Sequence, residues 1–388
     1  MFSTRTRFDL TPNRLSAALE TKRQAGVRVF DLTLTNPTRA GIPYPDDLLA
    51  PLLDEAGRRY DPSPQGLLGA RQAVAQDYAR RGFALGPERL VLTASTSEAY
   101  AFLFKLLADP GDEVLVPRPG YPLFDFLAGL ETVRAASYPL VYDGEWHLDL
   151  AGLRAAVTPR TRAIVVVNPG NPTGSYLKVS ELAALHALCA EHNLALVSDE
   201  VFADFGAAED PRRVTSVAED GPALAFSLGG LSKSCALPQL KLAWIAVSGP
   251  PALRQEALAR LEIVADTFLS VATPVQVAAP TLLARLPELQ APVRARILRN
   301  GDALRSAVGP GSPATVLASE GGWSAILQIP ATLPEEERTL RLLERHDVLV
   351  HPGYFFDFPR EAYLVLSLLP PPEEFDDGVR RVLEDLVL

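Results

Sequence analysis

The run R-A-I-V-V-V-N-P-G-N-P-T-G, residues 162–174, decides the fold class. Its first half, Ala163 to Val167, is apolar and β-branched without interruption. A half-exposed strand alternates apolar with polar residues. A continuous apolar run reads as a strand buried on both faces, as in parallel sheets covered by helices. The second half is built from turn formers, with two Asn-Pro pairs ahead of Thr173-Gly174. Asn, Pro and Gly favour turns on their own account, so a plain loop is the bland reading. The other reading follows from position, because open α/β sheets bind ligands at the carboxyl ends of their strands.

The same grammar repeats on either side. Short apolar runs lie at 89–95 (RLVLTAS), 112–117 (DEVLVP), 195–200 (ALVSDE), 223–229 (ALAFSLG) and 240–248 (LKLAWIAVS). Between them, Ala99, Phe102, Leu103, Leu106 and Leu107 recur at helical spacing, and 182–192 (LAALHALCAEH) reads as a helix. Strands alternating with helices predict an α/β fold with a mostly parallel sheet and right-handed crossovers. After about residue 270 the pattern changes. Helices are predicted at 274–286, 288–308, 335–345 and 372–386, and strands at 323–329, 348–353 and 363–369, which together read as a smaller α+β domain. The N-terminal segment reads as a helix over 12–25, ended by Gly26, and a strand over 28–34. The expected division is an N-terminal arm joined to the small domain (1–45), a large domain (46–275) and a C-terminal small domain (276–388).

Composition narrows the classes. The chain has 388 residues, 47% hydrophobic and 22% charged, enough apolar sequence for a sizeable core. A net charge of −10 argues against nucleic acid as a partner. No run approaches 18 apolar residues, so no membrane span is expected. The start, MFSTRTRFDL, lacks the apolar stretch of a secretory signal, and a cytoplasmic protein is expected. Two cysteines and five histidines show no metal-ligand spacing, so no metal is expected. Only five of the 37 basic residues are lysines, yet Lys233 and Lys241 both fall in one apolar stretch.

The strand ends carry an inventory of polar groups. Ser95, Thr96, Ser97 and Glu98 follow the first run, and Gly120-Tyr121 the second. Asn168 to Gly174 follow the central run, Asp199-Glu200 the next, and Ser232-Lys233 the one after. Ser95-x-x-Glu98 is a capping box, and capping alone explains it; the same helix start would also hold a phosphate on its amides. Asp199 alone reads as a cap or ion pair, and Lys233 alone as a surface residue. Together they supply what pyridoxal 5′-phosphate needs. A lysine forms the Schiff base, a carboxylate keeps the pyridine nitrogen protonated, an aromatic ring stacks, an amide bonds the phenolic oxygen, and a helix start takes the phosphate.

At these residues the chain resembles the class I/II aminotransferases of the aspartate aminotransferase superfamily, the fold type I pyridoxal phosphate enzymes. The closest matches are Asn168 to Gly174, Ser198-Asp199-Glu200-Val201 and Ser232-Lys233. Tyr60 with Gly66 and Arg71, Pro119 to Pro122, and Gly321-Gly322-Trp323 match more loosely. The resemblance implies a seven-stranded large-domain sheet. It makes Lys233 the aldimine lysine and proton shuttle, Asp199 the partner of the pyridine nitrogen, Asn171 the partner of the phenolic oxygen, and Tyr121 the stacking ring. Ser95, Thr96 and Lys241 would hold the phosphate. Tyr60 would reach the phosphate of a second subunit, which implies a homodimer with shared sites.

Four positions depart from the family pattern. Phe202 stands where the family has tyrosine, Gly230 where it has serine, and Lys241 where it has arginine. Val365 stands where an arginine holds the substrate α-carboxylate. Arg360, Arg39 and Asn36 are the candidate replacements. The leading expectation is an aminotransferase working between an L-amino acid and a 2-oxo acid. A carbon–sulfur β-lyase or decarboxylase on the same scaffold, and a non-catalytic binding protein, are the alternatives.

Overall fold

The apolar run before Asn168 pairs in parallel register on both sides. Ala163 and Ile164 face Val114 and Leu115 on one side, and Val165 to Val167 face Val197 to Asp199 on the other. This register brings Asn168 and Asp199 to adjacent strand ends, where the Asn168 N–H donates to the Asp199 carbonyl at 2.8 Å. The computed structural model describes residues 1–387.

The large sheet has eight strands: β1 (Leu90–Thr93), β2 (Glu113–Arg118), β3 (Arg134–Tyr142), β4 (Trp146–Leu148), β5 (Thr161–Val167), β6 (Ala195–Asp199), β7 (Ala225–Gly230) and β8 (Ala243–Ser248). Their spatial order is β1-β8-β7-β6-β5-β2-β3-β4. The run from β7 to β3 is parallel, while β8 is antiparallel to both its neighbours. The strand beyond the expected seven is β4, a short return against the end of β3 through the turn at Gly144. Apolar side chains cover both faces, as the uninterrupted runs require. Val91, Val116, Val165 and Val197 pack on Phe102 and Leu103 of the helix Thr96–Leu107 and on Leu261 of the helix Pro251–Phe268. Leu115, Ile164, Val166 and Leu196 pack on Leu153 of the helix Leu150–Ala156 and Leu185 of the helix Val179–His192.

A second sheet of four strands lies in the C-terminal third: β9 (Thr315–Val316), β10 (Ser324–Gln328), β11 (His351–Pro352) and β12 (Tyr363–Ser367), in the order β9-β10-β12-β11. The helix Arg14–Gln24 packs Leu15 against Leu340 and Leu343 of the helix Glu335–His346. The strand expected over 28–34 shortens to Phe30–Asp31, paired with Val348–Leu349. The helix Thr273–Ala284 packs Val275, Ala278 and Leu282 into the core that holds Ala70, Val74 and Tyr78. The expected boundary at 275 falls within this helix.

Two contacts fix the small sheet against the large one. The first is a seam at residues 319–323. The Glu320 carboxylate sits between Lys178 Nζ at 2.5 Å and Arg213 Nε at 2.7 Å, and it also accepts the Tyr176 N–H. Ala207 N–H and Gly322 N–H donate to the Glu320 and Phe205 carbonyls. Gly174 lies so close that a Cβ there would sit 1.9 Å from Ser319 Oγ, and its φ of +66° also favours glycine. The second contact is the loop between β11 and β12. The buried Glu335 carboxylate accepts the Tyr354 N–H at 2.8 Å and the Tyr363 N–H at 2.7 Å. The loop so held places the Phe356 carbonyl 2.9 Å from the Gly120 N–H. Glu335→Ala leaves both loop donors without their acceptor, at about 1–3 kcal/mol for each. Urea denaturation is expected to show that loss, and a midpoint equal to wild type would refute the role.

Candidate active site

Five segments converge at the carboxyl ends of the parallel strands. Lys233 sits in the single turn Leu231–Ser234 directly after β7. Ser234 Oγ bonds back to the Gly230 carbonyl, Gln290 donates to the Ser234 carbonyl at 3.1 Å, and Tyr44 donates to the Ala236 carbonyl at 2.7 Å. These bonds hold the turn from three directions. The Lys233 Nζ lies 4.9 Å from the Trp323 ring and 5.4 Å from the Phe202 ring. Burial lowers its pKa to about 8, and the nearby Asp199 charge opposes that shift.

Asp199 is buried at the end of β6. Its Oδ2 accepts the Tyr100 hydroxyl at 3.1 Å and its Oδ1 accepts the Val201 N–H at 3.2 Å. Burial raises its pKa to about 6, against the pull of the Val201 and Tyr100 hydrogen bonds and of the Lys233 charge. Tyr121 packs edge-on against Phe124 at 5.7 Å, and burial, followed by the Asp199 charge, pushes its phenol up to about 12.

The two asparagines of the central motif divide their work. Asn168 is fully buried, donating to the Val214 carbonyl at 2.7 Å and accepting the Leu177 N–H at 2.9 Å, so it closes the loop. Asn171 has no side-chain hydrogen bond among the described residues, and its amide is free for a ligand. The start of the helix Thr96–Leu107 divides in the same way. Ser95 Oγ accepts the Glu98 N–H at 3.1 Å and caps the helix, while Glu98 accepts the Ala94 N–H at 2.6 Å rather than that of Ser95, so only half of the expected capping box forms. The amides and hydroxyls of Thr96 and Ser97 have no partner among the described residues. They leave donors open at the positive end of a helix, the usual setting for a phosphate.

The remaining candidates are spread more widely. Lys241 is exposed, at φ +53°, and makes no ion pair among the described residues. Tyr60 is 74% exposed, near Ser270 and Thr273. Asn36 Oδ1 accepts both the N–H and the hydroxyl of Thr38, which makes it a turn residue. Arg39 is exposed with no side-chain bond among the described residues. Arg360 is also exposed; its Nε donates to the Tyr363 hydroxyl at 3.0 Å and its guanidinium lies over that ring.

The departures have local causes. A side chain at Gly230 would place its Cβ 2.9 Å from the Ala243 Cβ, so serine does not fit there. Phe202 packs edge-on against Trp323 at 5.4 Å in an apolar cluster with Phe205 and Ala236. Val365 lies among Trp146, Ile326, Phe356, Phe358 and Tyr363. Packed aromatic and aliphatic groups take the place of a cation. Sequence reasoning gave no role to Tyr100, and it left Ser97 out of the phosphate set. Tyr100 reads as one more apolar residue of an amphipathic helix, and Ser97 is overshadowed by the capping pair around it.

Comparison with known proteins gives the family. Residues 48–382 match the family model described as aminotransferase class I and II, and the chain belongs to that family. The glutamate-pyruvate aminotransferase of Escherichia coli strain K12 is 32% identical over 270 residues, covering 68% of this chain and 66% of its own. The chain thus matches slightly less than two thirds of that relative's length. An alanine aminotransferase of Mycobacterium tuberculosis is 28% identical over 377 residues, 93% of this chain and 86% of its own. The solved alanine aminotransferase of Pyrococcus furiosus superimposes over the whole of both chains with a TM-score of 0.91 at 22% identity, a likeness of fold.

A lysine with a pKa near 8 reacts as a neutral amine well below the pH that an ordinary lysine requires. The rate at which a small aldehyde modifies Lys233 in cofactor-free protein is therefore expected to rise with pH and level off above about 8. Peptide mass spectrometry follows it, and a rate still climbing through pH 10 would contradict the environment described.

Proposed function

We propose that this chain is a pyridoxal 5′-phosphate-dependent aminotransferase that moves an amino group between an L-amino acid and a 2-oxo acid. The observation that carries the reading is the meeting of Lys233 and Asp199 in one buried pocket, beside a helix start whose Thr96 and Ser97 donors are open. The donor set fits the cofactor group by group. Lys233 would hold it covalently, Asp199 would face its ring nitrogen, Tyr121 its ring face, and Asn171 its phenolic oxygen. Thr96 and Ser97, with the cap Ser95 behind them, would hold the phosphate, and Lys241 is the candidate cation for it. When bound, the cofactor supplies an electron sink for the substrate α-carbon.

This chain's residues do the rest. The depressed basicity of Lys233 lets its Nζ take a proton from the substrate α-carbon and return one on the other side of the shift. Trp323 and Phe202 keep water away from that nitrogen, which strengthens its exchange with Asp199. The exposed Tyr60 supports a homodimer in which each copy completes the other's phosphate site. Among the described residues no helix is long and apolar enough to cross a membrane. A cytoplasmic enzyme of amino acid metabolism, with neither nucleic acid nor membrane as partner, is the setting proposed.

The names of the relatives centre on alanine, glutamate, arginine and pyruvate. Small amino acids paired with pyruvate are the first substrates to test. Val365 and its apolar surroundings move the carboxylate contact elsewhere. Arg39 is favoured because its guanidinium is uncommitted, while Arg360 is occupied with Tyr363. The same apolar place keeps a β-lyase or decarboxylase as the second reading, since the bond that breaks depends on how the substrate is oriented.

Adding pyridoxal phosphate to the purified protein is expected to give a visible absorbance band, absent from Lys233→Ala. An amino donor is expected to discharge it with formation of pyridoxamine phosphate and a 2-oxo acid. Ammonia or carbon dioxide in their place would favour the second reading, and no band would end both. Arg39→Ala is expected to raise KM for the donor at least tenfold with kcat nearly unchanged, and Arg360→Ala to leave KM within twofold. The reverse pattern would exchange their roles.

A further inference from the structure

The function proposed above uses Asp199 and leaves the hydroxyl next to it without a task. Tyr100 lies one turn into the helix Thr96–Leu107 and is 1% exposed. Its ring is fixed by Phe104 at 5.8 Å and, edge-on, by Phe124 at 5.5 Å. Phe124 in turn packs edge-on against Tyr121, so one aromatic stack supports both tyrosines. The apolar contacts would be served equally well by phenylalanine. The hydroxyl adds one thing, a bond of 3.1 Å to Asp199 Oδ2.

The direction of that bond is fixed. Burial, and then the Asp199 charge, raise the phenol well above its ordinary value, so the proton stays on Tyr100 and its oxygen donates. The Val201 N–H holds the other oxygen, Oδ1. Two donors on two oxygens set the plane of the carboxylate. The titratable groups facing Asp199 are Tyr100, Tyr121 and Lys233. Of these, only Tyr100 is hydrogen-bonded to it.

We propose that Tyr100 is a positioning residue that orients the Asp199 carboxylate and sets how strongly it holds a proton on the cofactor's ring nitrogen. The proposal rests on the pairing of Asp199 with that nitrogen. A donor on a carboxylate stabilises its charged form and makes it a weaker base. The ring nitrogen then meets a carboxylate already sharing its charge with a phenol. Removing the hydroxyl should give a more basic Asp199, a more firmly held ring proton and a less well-defined plane.

The test begins without cofactor. Protein labelled with 13C at the aspartate carboxyl is titrated by NMR, with Asp199→Asn assigning the resonance. The Asp199 midpoint, about 6 in wild type, is expected to rise in Tyr100→Phe by about one pH unit, a tenfold change in proton affinity. Tyr100→Phe keeps the ring and its packing, and circular dichroism confirms the fold. With 15N-labelled pyridoxal phosphate bound, the ring-nitrogen resonance is expected to move toward the fully protonated position in the same variant. An unmoved carboxyl midpoint overturns the proposal, and so does a shifted midpoint with an unchanged ring-nitrogen resonance. Failure of the cofactor reading has a different signature. Wild type would then give no visible band with pyridoxal phosphate, while the carboxyl titration still responded to Tyr100→Phe.

Discussion

A carboxylate and an amine lie within reach of each other's charge, and much of the large domain serves to keep them there. Burial alone would neutralise both, raising Asp199 and lowering Lys233. Each tempers the shift of the other. The outcome is a lysine that gives up its proton near neutrality and an aspartate that still ionises there. Such a balance depends on position. The parallel register of β5 and β6 sets where Asp199 emerges, and the turn after β7, held by Gln290 and Tyr44, sets where Lys233 emerges.

Three of the four departures from the family pattern, all but Lys241, share one theme, the exchange of polar contacts for tight apolar ones. Gly230 lets β7 approach Ala243 closely enough to seat the lysine turn. Phe202 gives up a hydroxyl and gains an edge contact with Trp323. Val365 gives up a cation and joins a cluster of aromatic side chains from both sheets. A pocket so lined strengthens the electrostatic contacts that remain, because less water reaches them. The walls beside the lysine are therefore drier, and less charged, than the family pattern alone would lead one to expect.

Much of this was legible in the sequence because parallel strands buried on both faces write uninterrupted apolar runs. β1, β2, β5, β6, β7 and β8 all did so, and their polar ends named Asp199, Lys233 and Asn171 as candidates. β3 was missed because it lies near the sheet edge, with mostly exposed or half-exposed side chains and Pro139 within it. The helix Pro251–Phe268 was missed because its buried stripe is only Ala257, Leu261 and Ala265. Tyr100 was invisible for a different reason. A hydrogen bond that spans 99 positions leaves no local pattern. The closing role of Asn168 was equally hidden, since its partners Leu177 and Val214 lie well along the chain.

The seam around Glu320 bears on how the molecule can move. Residues 319–323 are joined to the large domain by two cations on one carboxylate, by backbone bonds at Phe205 and Ala207, and by the close approach of Gly174. The seam is the connection between β9 (Thr315–Val316) and β10, which begins at Ser324. The stretch that carries Trp323 beside Lys233 is thereby anchored to the large domain. The loop around Phe356 is tied to the large domain as well, through its carbonyl on the Gly120 N–H. The small sheet is thus held at two separate places, and the wall beside the reacting nitrogen belongs to one of them.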